Sequence, residues 1–84
     1  MSIVAVQFRN NYNLEMFSVA KYLYYSNVDL SVGDIIVVPT KNGSGVVRVC
    51  QTDMKDSEID ERVKPYMLTI EEFVSPEDMN HVEG

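Results

Sequence analysis

Eighty-four residues carrying 13 acidic and 7 basic side chains, a formal charge of −6 and 45% hydrophobic content describe one small domain, too apolar to remain disordered. An isoelectric point near 4.5 argues against nucleic acid as the partner, because phosphate contacts need clustered Lys and Arg. A single Cys50 closes no intrachain disulfide and a lone His81 builds no zinc site, so no cofactor or metal is expected and a reducing cytoplasm suits the chain.

The opening MSIVAVQFRN has no basic n-region and only a four-residue apolar run, unlike a secretory leader, and no stretch approaches a membrane span. Ile3 to Phe8 is rich in β-branched residues and reads as the first strand. Three Asn within Arg9 to Asn13 predict a turn, and Leu14 to Ala20, whose apolar residues fit both helical and strand periods, reads as loop or irregular strand. Lys21 to Tyr25 is the second strand, with Tyr22 and Tyr24 on one face and Lys21, Leu23 and Tyr25 on the other. Gly33 marks a corner that feeds Ile35 to Val38, and Pro39 closes that strand. Asn42-Gly43 predicts a type I′ hairpin leading into Val46 to Cys50.

After Thr52 the chain turns polar and charged, with Ile59 and Val63 its only apolar stripe. It reads as a short helix capped by Asp56 or Ser57, or as a solvated excursion ended by Pro65. Tyr66 to Ile70 has the composition of a last strand, and Ser75-Pro76-Glu77-Asp78 that of a terminal helix start. The chain therefore divides into core strands and hairpin over 3–51, an acidic excursion over 52–65, a last strand over 66–74 and a tail over 75–84. Five short strands with turn signals every 8–12 residues predict a mainly β domain, a small SH3-like or OB-like barrel, since closure removes exposed edges.

The charge is unevenly placed. Through Gln51 four basic residues (Arg9, Lys21, Lys41, Arg48) face three acidic ones, a balance of +1; from Thr52 onward three basic residues face ten acidic ones, a balance of −7. Solubility alone is the plainer reading of that acidity, and docking on a basic partner is the functional one. His81 lies near the chain end, Cys50 ends an apolar strand, Gly43-Ser44-Gly45 lacks the Lys-Ser/Thr of a phosphate loop, and the acidic run lacks the spacing of a calcium loop. With a thin core and no catalytic constellation, a non-enzymatic protein is expected.

The string Leu30-Ser31-Val32-Gly33-Asp34-Ile35-Ile36-Val37-Val38-Pro39, followed by Gly45-Val46-Val47-Arg48-Val49, resembles the VGD hairpin of the N-terminal DNA-binding domain of the primosomal helicase PriA and of short phage-encoded proteins. Tyr22-Leu23-Tyr24 takes the place of the Y-x-Y strand of that pattern, and the resemblance spans residues 3–74. It implies an SH3-like barrel and a phage protein in a bacterial cytoplasm, a class whose small acidic members often bind and inhibit host enzymes. The DNA 3′-end capture of the helicase domain is not implied, since the acidic C-terminal third departs from such a binder.

The leading expectation is an inhibitor that docks on a basic host-protein surface through Asp53, Asp56, Glu58, Asp60, Glu61, Glu71 and Glu72 with exposed Tyr22 and Tyr24. The alternatives are a single-strand-binding barrel, stacking bases on Tyr22 and Tyr24 with Arg9, Lys21, Lys41 and Arg48 along the backbone, and a structural or assembly subunit.

Overall fold

A computed structural model describes residues 2–10 and 16–76. Five strands, β1 (Ser2–Phe8), β2 (Tyr22–Ser26), β3 (Ile35–Thr40), β4 (Gly43–Gln51) and β5 (Thr69–Ile70), form one sheet in the order β3-β4-β1-β2-β5. The chain is mainly β, as its composition predicts, and the sheet curls into a nearly closed barrel. β1 pairs antiparallel with both β2 and β4, β3 pairs antiparallel with β4, and β5 runs parallel to β2 because the excursion carries the chain back before it joins.

Alternation selects the core. Val4 and Val6 of β1, Tyr24 of β2, Ile36 and Val38 of β3, Val47 and Val49 of β4 and Ile70 of β5 form one buried cluster. Between Ala5 and Val6 the register shifts, leaving Cys50 as an extra residue that bulges β4, and the Cys50 thiol donates to the Ala5 carbonyl at 3.2 Å. Two hydrogen bonds tie β3 across the seam: the Tyr24 hydroxyl of β2 donates to the Pro39 carbonyl at 2.7 Å, and the Val37 N–H donates at 2.8 Å to the carbonyl of Val74, which follows β5. Pro39 has no N–H to leave open on that edge.

The VGD segment has a local physical origin. Asp34 N–H donates to the Ser31 carbonyl and Ser31 N–H to the Asp34 carboxylate, a turn in which Gly33 takes φ +99°. The β3–β4 hairpin is present but its turn differs from type I′. Its two central residues are Lys41 and Asn42, neither with positive φ, and Gly43 opens β4 at φ +139°. The glycine is thus used one position later than the Asn-Gly pair suggests, to reset the strand after the turn. The expected strand over 66–70 shrinks to Thr69–Ile70. Pro65 lies instead in a 3-10 turn over Lys64–Tyr66, so the residues before Thr69 do not join the ladder.

The turn expected after Arg9 falls largely outside the described residues, as do the terminal helix and His81. Phe17 of the ambiguous 14–20 segment forms an isolated antiparallel bridge with Arg9.

Candidate interaction surfaces

Ile3 and Ala5 are buried although alternation turns them away from Val4 and Val6, so the outer face of β1 carries a cover. The acidic excursion begins beside that strand, where Met54 N–H donates to the Ile3 carbonyl at 3.1 Å, and its Ile59 is buried outside the main core cluster. What the sequence leaves open as helix or solvated loop is a segment folded onto the barrel through two 3-10 turns, Asp56–Glu58 and Lys64–Tyr66. In the first, Lys55 N–H donates to the Glu58 carboxylate at 2.8 Å while Glu58 N–H donates to the Lys55 carbonyl at 2.9 Å. Asp53 holds φ +55°, a left-handed conformation that a short polar side chain tolerates, and redirects the chain out of β4.

All seven carboxylates singled out in the sequence are exposed, and the fold fixes the spacing of most of them. Lys64, its side chain only 18% exposed, bridges Asp56 at 2.7 Å and Glu61 at 3.0 Å. Arg62 forks onto both oxygens of Asp60, at 3.3 and 3.0 Å. The hydrogen bond from Arg62 holds the Asp60 carboxyl below its usual range, and that with Asp56, then Glu61, raises the Lys64 ammonium. Such exposed pairs add little to stability. Their effect is positional: along a ridge of five carboxylates and three cations over 53–64, Lys64 and Arg62 set the places of Asp56, Glu61 and Asp60. Glu71 lies apart, accepting a bond from the Asn27 amide at 2.9 Å beyond β5.

The tyrosines separate. Tyr22 and Tyr24 share a face, as alternation predicts, but Tyr24 is 5% exposed and belongs to the core, a correction to its place among the exposed tyrosines. Its ring fills the barrel interior and its hydroxyl is taken up by Pro39, so no partner can stack on it. Tyr22, 48% exposed, packs edge-on against Phe8 with ring centroids 5.1 Å apart. Tyr66, hidden in the sequence inside an apparent strand, is the most exposed aromatic ring described, at 71%, and Lys41 Nζ lies 5.6 Å from its centroid. Together with Val63 and Leu68 these rings border an apolar groove of about 380 Å³ beside the β3–β4 turn.

The four cations of the nucleic-acid alternative do not form one track. The Arg48 guanidinium lies 4.4 Å from the Phe17 ring centroid and donates to Gln7, and Arg9 bridges to Phe17, so these two share the outer face of β1 and β4. Lys41 borders the groove instead, and Lys21 is exposed just ahead of β2.

Burial raises the Tyr24 phenol above its ordinary value. Between that value, about 10, and the higher one in the folded chain, the native state holds a proton that the unfolded state has lost, so stability is full below about pH 10 and falls above it. A urea series from pH 8 to 11 is expected to show this fall and to show it reduced in Tyr24→Phe.

Among the described residues no group of three or more His, Cys, Asp and Glu side chains is arranged to hold a metal ion, and no helix is long and apolar enough to cross a membrane. In comparisons with known proteins, the chain matches no family model, no curated protein and no solved structure.

Proposed function

We propose that the protein is a non-enzymatic interaction module that binds, and by occupying it inhibits, a host protein with a basic surface. The observation that carries this reading is the acidic excursion itself, hydrogen-bonded to β1 through Met54, with Ile59 buried, Lys64 bridging Asp56 and Glu61, and Arg62 paired to Asp60. A flexible acidic tail that serves only solubility needs none of that construction. Ordering the carboxylates before binding lowers the entropy lost on association, and their field speeds encounter with a positive patch. The resemblance of the VGD hairpin to phage proteins supports a bacterial enzyme as the target, with the ridge standing where a phosphate backbone would lie if that enzyme acts on nucleic acid.

The test is capture from nuclease-treated bacterial lysate at low and high salt, with bound species identified by mass. One protein recovered despite nuclease, released as the Debye length falls from about 10 Å at 0.1 M to about 3 Å at 1 M salt, is the expected result. The fourfold variant Asp53→Asn, Asp60→Asn, Glu71→Gln, Glu72→Gln is expected to recover it at least about tenfold less well while keeping its fold. Recovery of nucleic acid, or equal recovery by the variant, contradicts the reading.

A further inference from the structure

We infer that the groove beside the β3–β4 turn is a second binding site, for an extended peptide that presents an aromatic anchor beside acidic residues. Three observations converge on that occupant.

The first is apolar exposure concentrated at one place: Tyr22, Val63, Tyr66 and Leu68 are all among the exposed large hydrophobics, and all four line this groove. Its volume of about 380 Å³ has room for one large side chain and a neighbour.

The second is an open strand edge. β5 pairs with β2 only at Tyr25 and Ser26, and Tyr25 N–H is the group that donates across to Leu68. By the two-residue period of a strand, Leu23 directs its N–H and C=O to the same side as Tyr25, ahead of the point where the parallel β5 joins, and Leu23 lines the groove with Met67 and Leu68. An extended peptide laid there continues the ladder while its side chains enter the groove.

The third is charge. In a chain with 13 acidic residues against 7 basic ones, no carboxylate lines the groove, and its one charged residue is Lys41, held over the Tyr66 ring. A peptide carboxylate next to the anchor meets Lys41, and Lys21 is exposed immediately ahead of Tyr22. A nucleic-acid strand fits less well: it offers no amide to pair with Leu23, and the groove's own segment follows directly on Asp60 and Glu61. The groove takes Val63 and Tyr66 from the acidic excursion but none of the ridge's carboxylates, so neutralising those carboxylates separates the two sites.

The experiment is selection from a displayed library of random linear peptides on the intact protein, with the Tyr66→Ala/Lys41→Glu double variant as counter-target. Both positions are exposed, and an unchanged thermal midpoint establishes that the variant folds. The expected result is enrichment of sequences with an aromatic residue flanked by Asp or Glu. Such a peptide, fluorescently labelled, should bind the wild-type chain at least about tenfold more tightly than either single variant, and the same peptide with its acids changed to Lys should not bind. Absence of enrichment over the counter-target, enrichment of basic sequences, or an oligothymidylate probe binding through Tyr66 in place of peptide overturns the proposal.

Discussion

Tyr24→Ala is expected to lower stability by about 3–5 kcal/mol, the range for truncating a buried aromatic ring. A domain of 84 residues has roughly 4–13 kcal/mol in total, so this one truncation removes from about a quarter of the stability to all of it. The size of the effect follows from two roles in one side chain. The ring fills the space among Val4, Val6, Ile36, Val38, Val47, Val49 and Ile70, and the hydroxyl joins β2 to Pro39 across the seam. Tyr24→Phe separates them: it keeps the ring and is expected to lose only about 0.5–1.5 kcal/mol. Urea denaturation followed by circular dichroism reads both values. A loss below about 1 kcal/mol for Tyr24→Ala contradicts the placement of that ring in the core.

Ile59→Ala carries the second large effect, about 2–3 kcal/mol, because it removes the one buried hydrophobic side chain of the acidic excursion. Its consequence differs in kind from that of Tyr24→Ala. Ile59 stands outside the main cluster, so the barrel is expected to stay folded while the ridge loosens, with an unchanged β spectrum and a lower midpoint. Partner capture is expected to fall although no charge has been removed. Ile59→Val, keeping most of the volume, is expected to restore both. Normal capture by Ile59→Ala shows that the order of the ridge does not matter to binding.

The barrel was legible because its signals are local. Alternation in Tyr22 to Tyr25, the apolar run of Ile35 to Val38, the turn demand of Gly33 and the donorless Pro39 each act within a few residues, and the sheet follows from them. The hairpin turn shifted by one residue because the choice between Asn42-Gly43 and Lys41-Asn42 as central pair depends on pairing register, which Thr40↔Gly43 sets. The excursion was not legible from its own composition, where Ile59 and Val63 stand alone among charges. Its signal lay elsewhere: Ile3-Val4-Ala5-Val6 is continuously apolar instead of alternating, the pattern of a strand covered on both faces, and something had to supply the second cover. Tyr66 was missed for a related reason. Its β propensity suggests a strand, whereas Pro65 beside it sets a 3-10 turn that leaves the ring in solvent beside Lys41. The carboxylates were located by sequence, but the cations Lys64 and Arg62 that space them are visible only in the fold.

Hydrogen exchange on the amides of residues 54–66 tests most directly that the acidic excursion is a built surface. Met54, Ile59, Val63 and Tyr66, whose N–H groups donate to Ile3, Asp56, Asp60 and Val63, are expected to exchange well below coil rates, with Met54 slowest because its acceptor lies in β1. Ile59→Ala is expected to abolish that protection while β1 and β4 keep theirs. Coil-rate exchange throughout 54–66 in the unaltered protein contradicts the account and returns the acidic segment to the role of a solvated loop.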